Sequence, residues 1–105
     1  MACTTGAVTL DLAHGAKVVG RITTGGGVDN IDYHPGRRLL YVASPKDGKL
    51  VIARVAEGGA LSPLGDAPTA KGARNPVVDG GGVAYVPSGT TGQLLVVPPP
   101  APQPR

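Results

Sequence analysis

The chain has 105 residues with a formal net charge of +3, and it contains 17 Gly and 11 Pro. Hydrophobic residues make up 41% of it, a share that argues against disorder although Gly and Pro are frequent. The length suits one small domain. No apolar run is long enough for a transmembrane helix, so we expect no membrane partner. Because Phe and Trp are absent, any core must consist mainly of small aliphatic side chains.

The single cysteine, Cys3, excludes an internal disulfide and a cysteine-based zinc site. The basic residues are scattered and lack interleaved aromatic residues, so we expect no nucleic-acid partner. Residues 1–6 have neither the basic nor the apolar region of a signal peptide, and we expect none in this chain.

Short alternating segments such as Val8, Leu10 and Leu12 indicate half-buried strands, and Gly or Pro interrupts every window that could form a helix. The chain is therefore predicted to be all-β, with antiparallel strands. In chain order the predicted strands cover residues 2–4, 7–12, 17–22, 28–33, 39–43, 49–55, 60–64, 74–78, 83–86 and 93–97. Turn residues at 34–36, 45–48 and 79–81 separate neighbouring strands.

An internal repeat of about 44 residues runs through the chain. Residues 30–52 and 75–96 both begin with Asn, share Tyr-Val-x-Ser at Tyr41 and Tyr85, and continue with Gly and an apolar run. In a partial third copy, Gly6 to Leu10 match Gly48 to Ile52. The period is typical of one four-stranded β-propeller blade.

The repeat predicts a partial β-propeller over residues 1–97, made of the blade pieces 1–25, 26–69 and 70–97. Residues 98–105 are proline-rich and cannot join a sheet, because proline has no N–H donor. We expect them to form a disordered tail.

The repeat resembles that of the YVTN-type β-propeller proteins, a group that includes YncE-like and lactonase-like propellers. The matching residues are Leu40-Tyr41-Val42-Ala43-Ser44 and, less closely, residues 84–88, and the likeness covers residues 2–97. A closed propeller has four to eight blades, whereas this chain holds about two and a half. It thus resembles the C-terminal part of a longer propeller, and the resemblance implies a secreted or periplasmic location for full-length relatives.

Ligands of propellers bind around the central channel, where the loops leading into the first strand of each blade converge. Here those loops cover residues 23–30 and 68–75, and each ends in a charged residue followed by Asn. The candidate ligand-binding residues are Asp29, Asn30, Lys71, Arg74 and Asn75. Amide oxygens can hold a hard cation or a polar ligand. The resemblance to gluconolactonase-like propellers implies a metal-ligand position for the two Asn, and the alternative is that each Asn caps a turn.

No catalytic residues are predicted, because the sequence shows no convincing Ser/His/Asp arrangement and no Gly-x-Ser-x-Gly motif. His14 and His34 are interpreted as turn residues. Asp32 lies on a predicted strand between Ile31 and Tyr33. Its carboxylate could point inward and be functional, but we expect it to face solvent by alternation.

Three functions remain open at this point. The first is a non-enzymatic propeller segment that binds a small ligand or a protein. We expect it to need no cofactor, and the one cofactor considered is a divalent cation. The second is a fragment of a gluconolactonase-like, metal-dependent hydrolase. The third is a self-assembling β module. In each case uncovered blade faces predict either a homo-oligomer or further blades from a longer chain.

Overall fold

The computed structural model describes residues 1–28 and 30–99, and this part of the chain is all-β with antiparallel strands in three sheets. The first sheet contains β1 (Ala2–Cys3), β2 (Gly6–Asp11) and β3 (Lys17–Thr23). The middle sheet contains β4 (Ile31–His34), β5 (Leu39–Ser44), β6 (Lys49–Val55) and β7 (Leu61–Pro68). The third sheet contains β8 (Val77–Val78), β9 (Ala84–Ser88) and β10 (Gln93–Val97).

Each predicted strand is found, and β6 and β10 begin and end at the predicted residues. The strand predicted over 74–78 is shorter than expected, because Asn75 has a left-handed φ of 59° and Pro76 offers no N–H to a neighbouring strand. In the described ranges no helix is long and apolar enough to cross a membrane. Of the predicted tail, Pro98 and Pro99 lie outside any strand, and residues 100–105 are outside the described part.

The strand β5 is buried on both faces, which explains its apolar sequence over residues 39–43. Leu39, Tyr41 and Ala43 pack against the third sheet, while Leu40 and Val42 pack against the first sheet. Side chains alternate between the two faces of a strand, so a strand between two apolar neighbours needs apolar residues at every position. All six residues of β5 are buried accordingly.

The alternation predicted for β2 is observed in part: Val8 is buried at 3% exposure, but it does not belong to the core shared with the middle sheet. Ala7, rather than Val8, packs in the core shared with the middle sheet, and the hydroxyl of Thr9 donates a hydrogen bond to the carbonyl of Gly59. Leu12 is 80% exposed and begins a short 3-10 turn, Leu12–His14. Two residues separate the paired Cys3 and Gly6, whereas four separate Ser44 and Lys49. The shorter turn shifts the repeat by one residue, so that Ala7 takes the place of Leu50.

The sheets stack with corresponding strands in contact. β3 lies against β7, the last strands of their sheets, and β4 lies against β8, the first strands of theirs. The core between the middle and third sheets centres on the buried Tyr41, Leu50 and Val86, and the core between the first and middle sheets on Ile22, Val42 and Val51. Successive sheets are therefore stacked in the same orientation, with first strand against first strand and last strand against last strand.

Candidate functional site

Four connecting segments meet at one edge of the stacked sheets, which we call the loop edge. They are residues 24–28 with residue 30, and residues 45–48, 69–76 and 89–92. The backbone N–H of Gly72 donates to the carbonyl of Pro45 at 2.9 Å, which joins the loop before the third sheet to a turn of the middle sheet. The hydroxyl of Thr90 donates to the carbonyl of Lys71 at 2.8 Å. These bonds fix the loops that carry the predicted ligand-binding residues.

The structure brings Asn30 and Asn75 together. The side-chain Nδ2 of Asn30 donates to the Oδ1 of Asn75 across 3.2 Å, and both residues are exposed. The two residues stand before the first strands of the middle and third sheets, so their amide bond spans two successive sheets. The two Asn, which recur one repeat apart in the sequence, are thus in side-chain contact in the structure.

The conformation of each Asn is set locally. The Oδ1 of Asn30 accepts the backbone N–H of Ile31 at 3.0 Å, so this side chain also caps the start of β4, as the alternative interpretation expected. Asn75 adopts a left-handed φ of 59°, which Asn tolerates better than most residues. The next residue, Pro76, is buried, whereas Asn75 itself is exposed.

Two of the other predicted residues belong to the same loop as Asn75. Lys71 is exposed, and in the described part of the chain its ammonium group has no ion-pair partner. Arg74 is exposed, and its backbone N–H donates to the carbonyl of Pro87 at 3.2 Å. Asp29 lies outside the described residues. None of the hydrogen bonds described for the loop edge joins the side chain of Lys71 to the Asn pair.

The Asn pair and Lys71 add hydrogen-bond donors to the loop edge, which also contains the exposed carboxylate of Asp47. Each Asn oxygen already accepts one bond within the protein, three amide N–H groups of the pair are not used in their mutual bond, and Lys71 adds a cation. Among residues 1–28 and 30–99, no group of three or more His, Cys, Asp or Glu side chains is placed to hold a metal ion. Cys3 is a half-buried free thiol in the first sheet. One further polar group, the hydroxyl of Thr69, is buried without a partner in the described residues.

Asp32 does not face solvent as alternation suggested. It is half-buried, and its Oδ2 accepts the backbone N–H of Val78 at 2.7 Å. The prediction is wrong because Asp32 lies on the face of the middle sheet that packs against the third sheet, as its cross-strand partner Tyr41 does. Knowledge that Asp32 pairs with Tyr41 across the sheet would have shown that the two side chains lie on the same face.

His34 contributes more than a turn position. Its ring is buried at the end of β4; Nδ1 accepts the backbone N–H of Arg37 at 3.1 Å. The Nε2 atom lies 3.0 Å from the carbonyl of Gly80, to which it donates in that tautomer. The ring therefore connects the middle sheet to the third sheet. His14, by contrast, is an exposed turn residue as predicted, with its ring 2.7 Å from the carboxylate of Asp11.

Comparison with known proteins gave no relative: no protein-family model, no curated protein and no solved structure matches this chain.

Proposed function

We propose that the three sheets are successive blades of a YVTN-type β-propeller segment, and that the segment is a non-enzymatic scaffold that binds a small ligand at the loop edge. Two features support the blade assignment. The 44-residue spacing from Tyr41 to Tyr85 matches one four-stranded blade. The meander order β4-β5-β6-β7 and the stacking of β4 on β8 are what neighbouring blades of a propeller have.

The observation that carries the binding proposal is the hydrogen bond between Asn30 and Asn75. Equivalent positions of two successive sheets present exposed amides to each other, at the edge where the loops into the first strands meet. In a propeller this edge surrounds the central channel, and polar groups that converge there are the usual means of fixing a ligand.

The donors at this edge favour a ligand that is rich in acceptor oxygens, such as a small carboxylate or a sugar acid. Each Asn oxygen already accepts one bond, and the pair has three N–H groups that are not used in their mutual bond, so donors outnumber the remaining acceptor sites. Lys71 supplies positive charge on the same loop, and the chain as a whole has a net charge of +3. An anion gains from these donors, since charge-assisted hydrogen bonds are stronger than neutral ones.

A nuclear magnetic resonance titration with citrate tests this proposal directly. The chain contains two Asn and two Gln, so its side-chain amide signals are few, and single-residue variants of Asn30 and Asn75 assign the signals of the pair. We expect citrate to shift both pairs of signals in a saturable way and to leave the backbone amides of the opposite edge, such as that of Gly58, unchanged. Saturable binding with no shift at either Asn would contradict the proposed site.

Two further arms sharpen the titration. The Asn75→Gly variant removes the amide while keeping the left-handed backbone, because Gly accepts a positive φ at little cost. It should weaken citrate binding, and Ser62→Ala, near the start of β7 at the opposite edge, serves as the control that removes an exposed polar side chain away from the pair. A calcium titration covers the second candidate function: if calcium, and not citrate, moved the Asn signals, the metal-dependent hydrolase would replace the scaffold.

A further inference from the structure

The outward face of the third sheet carries an apolar row. Val77, Tyr85 and Val96 are direct cross-strand partners, so their side chains lie in one line on the same face. Leu94 and Pro87 form the next pair on that face. Val77, Leu94 and Val96 are 58, 60 and 59% exposed, and residues of the described chain leave this row uncovered.

This face repeats one that is buried inside the same molecule. In the middle sheet, Tyr41 pairs with Asp32 and Ile52 as Tyr85 pairs with Val77 and Val96. Ala43 pairs with Leu50 as Pro87 pairs with Leu94. The middle-sheet residues lie in the interface with the third sheet, where Tyr41 and Leu50 are fully buried. The outward face of the third sheet is thus built like a face that another sheet covers.

The first sheet carries the other half of such an interface. Met1 and Val8 exchange two backbone hydrogen bonds of 2.8 and 2.9 Å, so their side chains share the face that points away from the middle sheet. Counted from the turn, Met1 and Val8 correspond to Val42 and Val51, which are paired in the middle sheet and packed against the first sheet. Leu10 corresponds to Ala53 in the same way. Met1 is 63% exposed and Leu10 is half-buried, whereas Val8 is only 3% exposed within one copy, so Met1 and Leu10 form the accessible part of this face.

We propose that the outward face of the third sheet docks onto the outward face of the first sheet of a second copy, head to tail. The partner is argued from the molecule itself, because the same pair of faces already meets twice within one chain. The outward face of the third sheet has the same residue pattern as the middle-sheet face that packs against the third sheet. The outward face of the first sheet has the same residue pattern as the middle-sheet face that packs against the first sheet. Because the two faces differ, the contact is heterologous and can close a ring or continue as a chain of copies.

The charged residue on the first-sheet face is compatible with this contact. Arg21 lies on β3 opposite Val8 and is exposed. If two copies stack as the sheets within one chain do, β3 of one copy lies opposite the position of a fourth strand in the third sheet of the other. In the described residues the third sheet has three strands, so this position is not occupied by a strand. Its guanidinium would therefore remain in water, and the docking does not bury an unpaired charge.

The test is sedimentation velocity of the full chain over a range of concentrations, together with two variants. Leu94→Lys blocks the third-sheet face and Leu10→Lys blocks the first-sheet face. Each should weaken self-association about tenfold or more, because a burial that favours the complex is lost and a charge is placed in the contact. Leu12→Lys is the matched control, since Leu12 is exposed in a turn outside both faces and its variant should associate as the unmodified chain does.

Mixing the two variants distinguishes head-to-tail docking from other associations. Each variant retains the face that the other has lost, so an equimolar mixture should form a 1:1 pair at concentrations where each variant alone is monomeric. A strictly monomeric unmodified chain, or association that Leu94→Lys leaves unchanged, would overturn the proposal, and so would a mixture that stays monomeric. Circular dichroism checks that the variants fold, and Leu94→Ser provides a milder change at the same exposed position. The inference does not depend on ligand binding, because the citrate titration reports on the Asn side chains alone.

Discussion

Asp32 in the middle sheet accepts the backbone N–H of Val78 in the third sheet, with 2.7 Å between Oδ2 and N. The first strands of two successive sheets are thereby joined by a bond from a carboxylate. The equivalent position of the third sheet is occupied by Val77, which has no carboxylate. The bond is therefore formed at only one of the two repeated positions.

Removal of the Asp32 carboxylate is expected to destabilise the fold. Asp32→Ala leaves the N–H of Val78 without its acceptor, and a hydrogen bond to a charged group contributes about 1.5–3 kcal/mol. Asp32→Asn keeps an acceptor oxygen and should cost less. Urea unfolding measures both, with Asp66→Ala as the control: Asp66 is exposed and lies 3.8 Å from Lys49, so its loss should cost less than about 1 kcal/mol. Equal losses for Asp32→Ala and Asp66→Ala would contradict this assignment.

Gly20 marks a close approach between the first and middle sheets. A Cβ at this position would lie 2.1 Å from the carbonyl oxygen of Gly59, which is backbone and cannot rotate away. Gly20→Ala should therefore lower the free energy of unfolding by about 1–3 kcal/mol through overpacking. Gly89→Ala is the matched control, because a Cβ there meets nothing within 4 Å and its φ is not positive. Thermal unfolding of the two variants should differ clearly; similar midpoints would mean that the sheets are not packed this closely.

Asp79 links stability to acid pH. The backbone N–H of Val83 donates to its carboxylate at 3.0 Å and is the largest cause that lowers the pKa of Asp79, with the hydroxyl of Tyr85 adding to it. A carboxyl whose pKa is lower in the folded state stabilises the fold above its unfolded pKa of about 3.9, and this contribution is lost as the pH falls through the folded pKa.

The Asp79→Asn variant isolates this contribution. The difference in unfolding free energy between the unmodified chain and the variant should be largest near neutral pH and should shrink below about pH 4. Denaturation by urea at a series of pH values gives the difference directly. A difference that stayed constant down to pH 2 would show that the carboxylate is not the titrating group.

Tyr41 has the opposite dependence, at alkaline pH. Its side chain is fully buried, burial raises the pKa of its phenol, and its hydroxyl donates to the carbonyl of Gly82 at 3.2 Å. A folded pKa above the unfolded value near 10 means that the stabilisation is complete below pH 10 and is lost as the pH rises through the folded pKa. A rise in pH above 10 should therefore lower the free energy of unfolding of the unmodified chain more than that of the Tyr41→Phe variant. Parallel curves for the two proteins would contradict the burial of this phenol.

Much of the fold was predictable because period-two alternation, Gly and Pro act locally. The bounds of β6 and β10 follow from turns at Gly48 and Gly92, both of which have a positive φ. The register of β2 was not predictable from the matching Gly residues, because the length of the turn, rather than the Gly itself, determines which face Ala7 and Val8 occupy.

The candidate site divides in the same way. The approach of Asn30 and Asn75 followed from the repeat, since equivalent residues of stacked sheets lie near each other. The bonds of Asp32 and His34 to the third sheet could not be predicted, because they depend on which neighbour covers each face of the middle sheet. Such information is contained in the packing of distant residues and not in any local pattern.

The burial of the middle sheet on both faces has a kinetic consequence. The outer sheets each rest on the middle sheet by one face, whereas β5 and β6 cannot open to solvent before at least one outer sheet has separated. Amide hydrogens of Val42 and Ile52 should therefore exchange with the solvent more slowly than those of β2 or β10. The chain would open in layers from its two ends, and the centre of the repeat would be the last part to lose its protection.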